Sequence, residues 1–249
     1  MAITLKPQKV LQFFLMIIGL LLLANIAGIV AKFYMNFPHI KSFIRLVDFD
    51  TEMNVPTLYS SFAMFVASAL LALVGYIHRT RKEPSLAWFG LAFIFTFLSI
   101  DESSEFHEML VGPVRETLHT SGMFYFAWVI PYGILAIVLA IAYFKFLFNL
   151  PRNILGLFVL SGLVFLSGAL GIELVGGVIA QSSGTDSWLY AIGYTIEELL
   201  EMISIALLIY TVMRYIDQLF PNLQIRFSNS LNSSKRKCPE QRGIFIETN

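Results

Sequence analysis

Carboxylates and imidazoles recur at one end of four apolar stretches in this chain, as though placed to meet. Asp101, Glu102, Glu105, His107 and Glu108 follow the third stretch, and His119 precedes the fourth. Glu173 lies near the end of the fifth, and Glu197, Glu198 and Glu201 open the sixth. A carboxylate at membrane depth is costly unless it is paired, protonated or bound to a cation, so intramembrane acids mark function. Glu173 is the sharpest case. It stands between Ile172 and Leu174, with Gly168, Gly171, Gly176 and Gly177 around it and no basic residue nearby.

Helical spacing groups these acids further. At about 100° per residue, Asp101, Glu105 and Glu108 fall on one face if the helix continues through them, with Glu102 and His107 to either side. Glu197, Glu201 and Ser204 share a face flanked by Tyr194, and Glu198 lies about 100° round. Like charges at i,i+4 repel, strongly so in low dielectric. A shared proton, Arg115, a histidine or a bound cation must offset them. Carboxylates and imidazoles projecting from several helices are the ligand set of Zn, Fe or Mn. The pattern therefore predicts a divalent-metal site built from Asp101, Glu105, His107, Glu108, His119, Glu173, Glu197 and Glu201. Glu102, Glu198, Arg115, Asn54, Tyr194 and Ser204 would support it. The chain lacks Glu-x-x-His, which disfavours a di-iron carboxylate bundle. A network of protonated carboxyls and a set of acids with purely structural partners are the alternatives.

Three functions follow from such a cluster. In a metal-dependent enzyme, a metal-bound water or oxidant would act on a lipid or apolar substrate, with a non-ligating Glu as general base. In a transporter the acids would relay protons or bind a cation at mid-depth. In a structural or assembly subunit they would brace a larger membrane complex. The residues do not decide whether the protein is an enzyme, and no catalytic residue is singled out. Membrane lipids and a homodimer or larger membrane complex are the expected partners, and nothing points to nucleic acid.

The elements that must position these groups are membrane spans. The chain has 249 residues, of which 57% are hydrophobic and 14% charged, and its mean hydropathy is +0.71. A soluble protein would carry about a quarter charged residues. Apolar runs at 10–31, 56–77, 86–105, 121–144, 154–175 and 188–213 predict an all-α, six-helix integral membrane bundle over residues 1–220. Residues 33–49 read as an interfacial amphipathic segment, Pro131 predicts a kink inside the fourth span, and Gly176–Ser187 reads as a flexible loop. Residues 221–249 read as a disordered basic tail. That tail holds Cys238, the single cysteine, so no intrachain disulfide forms.

Basic residues set the orientation. Lys6, Lys9, Arg79, Arg81, Lys82, Lys145, Arg152 and Arg214 all fall on one side, together with the basic residues of the tail. The positive-inside rule then places both termini in the cytoplasm and the acidic cluster towards the outer face of the plasma (inner) membrane.

The segments Leu98-Ser-Ile-Asp-Glu-Ser-Ser-Glu-Phe-His-Glu108 and Glu197-Glu-Leu-Leu-Glu-Met202 resemble those of a widespread group of bacterial multi-pass membrane proteins. Its members look alike in an acidic segment ending in His-Glu and a paired-Glu segment ending in Glu-Met. Glu52-Met-Asn-Val-Pro-Thr57 also looks like theirs. The resemblance covers most of the membrane region, implies a multi-pass bacterial membrane protein and supplies no reaction. The carboxylate and histidine pattern is also loosely similar to membrane hydrolases of the alkaline ceramidase type, which use three histidines, a serine and an aspartate around zinc. Here His107, His119 and His39 lie on the matching side.

Overall fold

A computed structural model describes residues 2–3, 6–34, 41–220 and 225–226. In chain order it contains β1 (Ala2–Ile3), α1 (Pro7–Tyr34), α2 (Lys41–Arg45), α3 (Val55–Thr80), α4 (Leu86–Ser104), α5 (Phe106–Met109) and α6 (Val111–Leu118). After these come α7 (Val129–Phe148), α8 (Arg152–Leu166), α9 (Glu173–Ser183), α10 (Trp188–Leu219) and β2 (Ile225–Arg226). A π-helical stretch, Ser167–Ile172, joins α8 to α9 without a break. Among the described residues, six helices are long and apolar enough to cross a membrane, counting Arg152–Ser183 as one. The fold is thus all-α, with the long apolar helices of a multi-pass membrane bundle. It is not a plain six-helix bundle, because the short helices α2, α5 and α6 stand between the long ones.

The 32-residue α10 is the axis of the bundle, packing against α1, α3, α8 and the π stretch. Its Met202, Ile205, Ala206, Ile209 and Val212 are buried against Ala67, Leu71 and Val74 of α3, Trp88 of α4 and Ile154 of α8. α3 and α4 form an antiparallel pair tied by small hydroxyls. Ser61 Oγ donates to the Ser99 carbonyl at 2.7 Å, and Ser68 Oγ donates to the Ala92 carbonyl at 2.7 Å. In a lipid-facing bundle, where burial drives helix association weakly, small residues and interhelical hydrogen bonds hold neighbouring helices together. At the end of the bundle away from the acids, His78 shares a 3.0 Å hydrogen bond with Tyr215, and its Nδ1 lies 2.6 Å from Glu83.

Several local features differ from the sequence expectations. α7 begins at Val129, so Pro131 sits in its first turn, where the missing N–H has no helical partner to lose. No mid-helix kink is therefore required. Gly176 and Gly177 do not belong to a flexible loop, because α9 runs through them to Ser183. Gly177 allows a close approach: a Cβ there would lie 3.1 Å from the carbonyl oxygens of Gly122 and Met123. The segment leading to Trp128 therefore lies directly on α9. Ile225–Arg226 of the expected disordered tail pairs antiparallel with Ala2–Ile3. The rest of that tail lies outside the described residues, as do 35–40 of the expected interfacial segment, including His39.

Candidate functional site

Glu105 takes a left-handed conformation (φ 58°) and ends α4, and the chain turns there into α5. The continuous helical face expected for Asp101, Glu105 and Glu108 is thereby broken. Asp101 stays on α4, almost fully buried, and becomes the hub of a hydrogen-bond network. Its Oδ1 accepts from the Tyr132 hydroxyl at 2.8 Å and from the His107 backbone N–H at 3.1 Å. Its Oδ2 accepts from His107 Nδ1 at 3.2 Å. The other ring nitrogen of His107 faces Glu52 Oε1 at 3.5 Å.

A second group forms on α9 and α10. The π stretch adds residues to its turn and sets the register in which Glu173 enters the bundle interior, where π segments often mark functional positions. The buried Glu173 accepts a hydrogen bond from the Trp128 indole N–H at 3.0 Å. The carboxyl of Glu197 is its near neighbour. Gly168 makes this possible. A Cβ there would lie 2.9 Å from the Glu197 carbonyl oxygen and 3.2 Å from Glu201 Cγ. Glu102 and Glu201 approach each other from α4 and α10.

Both groups line one cavity of about 850 Å³. At one end are Asp50, Glu52, Asp101, Glu102, Glu108, Glu173, Glu197, Glu198 and Glu201, with His107, Trp128, Tyr132, Tyr190 and Tyr194. At the other are Gly90, Phe93, Ile94 and Phe97 of α4, Leu135, Leu139 and Tyr143 of α7, and Phe158 and Phe165 of α8 with its π extension. From Glu102 to Gly90 the wall follows α4 for about 18 Å at 1.5 Å per residue. The side between α4 and α7 is open. Tyr132 pins α7 to Asp101 at the acidic end, and the Tyr143 hydroxyl donates to the Ala87 carbonyl at 3.3 Å at the other. Between these two ties the helices do not pack closely, and Phe93 is 73% exposed.

Two polar atoms of cavity-lining residues are inaccessible and make no close hydrogen bond among the described residues. The Tyr194 hydroxyl is one, and the Asp48 carboxyl is its neighbour. Glu52 Oε2 is also inaccessible and unpartnered. Burial, with the charges of Glu105 and Glu108, outweighs the nearby His107 and pushes the Glu52 carboxyl up to about 7. Burial alone would lower His107. Its hydrogen bond to Asp101 and the charges of Asp101, Glu52 and Glu108 instead raise it to about 9.

The divalent-metal expectation, and with it Zn, Fe or Mn as cofactor and a metal-dependent reaction, is corrected by this arrangement. Among the described residues no three His, Cys, Asp or Glu side chains are grouped to hold a metal ion. The physical reason is that the carboxyls are spread round the cavity or already engaged. Asp101 is occupied by His107 and Tyr132, and Glu173 by Trp128. Glu105 and His119 are helix-ending residues in left-handed conformations and do not line the cavity. Of the three histidines in the zinc comparison, His107 is engaged by Asp101 and Glu52, His119 does not line the cavity, and His39 lies outside the described residues.

Of the expected supporting residues, Glu102, Glu198, Tyr194 and Ser204 line the cavity, whereas Arg115 and Asn54 do not. Arg115 donates to the Tyr125 carbonyl and lies over the Tyr125 ring. Asn54 caps α3, accepting from the Thr57 N–H at 3.0 Å and donating to the Asp48 carbonyl at 2.6 Å. The sequence reading missed Trp128, Tyr132 and the partnership of Glu52 with His107. The helical i,i+4 spacing of Trp128 and Tyr132 was the one available signal. It also missed the buried Asn25, which donates to Thr195 Oγ1 and accepts from the Phe49 N–H, both at 3.0 Å.

No curated protein and no solved structure matches this chain. A family model does match residues 13–215, a stretch that includes every cavity-lining residue. The chain therefore belongs to the family described as a domain of unknown function, DUF8692.

Proposed function

We propose that this protein binds an amphipathic molecule drawn from the membrane. The polar end sits among the acids, tyrosines and Trp128, and the apolar end lies between α4, α7 and α8. The observation that carries this reading is the gradient along one cavity wall, from Asp101 and Glu102 to Phe93 and Gly90. A ligand site is typically a largely apolar concavity with a few convergent polar groups. This one has the dimensions of a lipid tail. Its wall runs about 18 Å, against about 15 Å for half of a 30 Å hydrocarbon core. The gap between α4 and α7 gives such a molecule a sideways route. The apolar far end offers no polar continuation, which favours binding over ion conduction.

In this reading the termini are cytoplasmic and the acidic end lies near the outer face of the plasma membrane. The support is the segregation of basic residues to the terminal side. The amphiphile reading is tested by extracting the protein together with its surrounding lipid and analysing the bound organic fraction by mass spectrometry. Wild type should carry an amphiphile that Ala136→Trp, which fills the α7 wall of the cavity, does not. Identical organic fractions from the two proteins would reject the reading.

A further inference from the structure

Resting on the amphiphile reading, we infer that the polar end of the ligand is an organic cation, an ammonium group carried on an apolar tail. Among the described residues, the acidic end of the cavity has nine carboxyl side chains and one imidazole, and the cavity wall includes no Lys or Arg. Ionised carboxylates only accept hydrogen bonds. The donors that the chain supplies there are fewer than the acceptors: Tyr132 and His107 serve Asp101, Trp128 serves Glu173, Glu197 shares a hydrogen bond with Glu173, and Tyr190 and Tyr194 lie beside Asp50 and Asp48. Further acceptor capacity is left for a ligand, and Glu52 Oε2 is a buried oxygen with no donor at all. Tyr194 lines the same end, with its hydroxyl buried beside the Asp48 carboxyl.

The spread of the acids narrows the chemistry. They do not converge as a compact metal ion demands. A headgroup with several N–H donors, or a methylated ammonium, can instead meet carboxyls from α4, α9 and α10 across a wider space. Trp128, Tyr132 and Tyr190 add aromatic rings beside that space, and a cation over such a ring gains further attraction when desolvated. A phosphate or carboxylate headgroup would meet an excess of like charge, because the one cationic side chain there, His107, is already held by Asp101 and Glu52. A hydroxyl headgroup could donate to one acid but would leave the excess negative charge unbalanced.

The test compares headgroups on one tail. Radiolabelled dodecylamine, dodecanol and dodecanoate are titrated onto the full chain in phosphatidylcholine nanodiscs, with empty nanodiscs subtracted. Dodecylamine should bind saturably and about tenfold or more tighter than dodecanol, as expected for a charge-assisted hydrogen bond against a neutral one in a desolvated site. Dodecanoate should show no saturable binding. Glu197→Gln with Glu201→Gln should abolish the preference for amine while dodecanol binding persists. If the double variant fails to fold, Glu52→Gln takes its place and should weaken the preference. Equal affinity for amine and alcohol would overturn the cation and leave the amphiphile reading intact. No saturable binding of any of the three would overturn both. Methylamine displacing dodecylamine at equal concentration would show that the tail adds nothing, and would overturn the proposed ligand class.

Discussion

His107 is held between Asp101, at 3.2 Å, and Glu52, at 3.5 Å, and its ring packs 4.8 Å from that of Trp128. Its value is raised in the fold to about 9 from 6.5. The group therefore stabilises the fold fully below pH 6.5, and that contribution is lost as pH rises through 9. The shift corresponds to roughly 3 kcal/mol. His107→Gln should be less stable than wild type by an amount of that order near pH 6, and the gap should narrow towards pH 10. Paired thermal melts across this range measure it, and a constant gap would contradict the assignment. The acids were legible in the sequence because charge in an apolar run is conspicuous. Their partners were not, because Trp128 meets Glu173 and Tyr132 meets Asp101 across separations of 45 and 31 residues.

Among the elements, the junction of α8, the π stretch and α10 depends on one hydrogen atom. With a Cβ at Gly168 only 2.9 Å from the Glu197 carbonyl, Gly168→Ala must push α10 away. Overpacking of this kind costs about 1–3 kcal/mol. Gly162→Ala on the same helix meets nothing within 4 Å and serves as the control. It should be neutral or stabilising, by up to about 1 kcal/mol. Denaturant titration of both variants checks the contrast, and equal effects would argue against close packing at Gly168. The glycines round Glu173 are visible in the sequence, and small residues are what lets neighbouring helices approach closely. The π stretch left no mark, since an extra residue in a turn looks the same as its neighbours within a continuous apolar run. The left-handed turn at Glu105 was equally silent, and it undid the expected metal face.

For the molecule as a whole, the long helices were legible from hydropathy, because about 20 apolar residues per crossing leave little ambiguity. α2 falls inside the expected interfacial segment 33–49, whereas α5 and α6 were not legible, being too brief to carry a periodicity. Orientation rests on charge alone and has a direct check in Cys238, the single cysteine. A membrane-impermeant maleimide should label it in inverted vesicles and not in intact spheroplasts. In a Cys238→Ser background, Ser121→Cys should show the opposite pattern. Labelling of Cys238 from outside would turn the cavity over, with its acids facing the cytoplasm.

The paired tyrosine ties of α7 leave the cavity with a wall that the polypeptide does not supply. On the amphiphile reading, acyl chains would close that side in a bilayer, making the surrounding lipid a structural component of the pocket. Whatever replaces those chains during solubilisation inherits the same doorway. A detergent with a slender tail is then a competitor as well as a solvent, and an apparently empty protein can simply have exchanged its occupant.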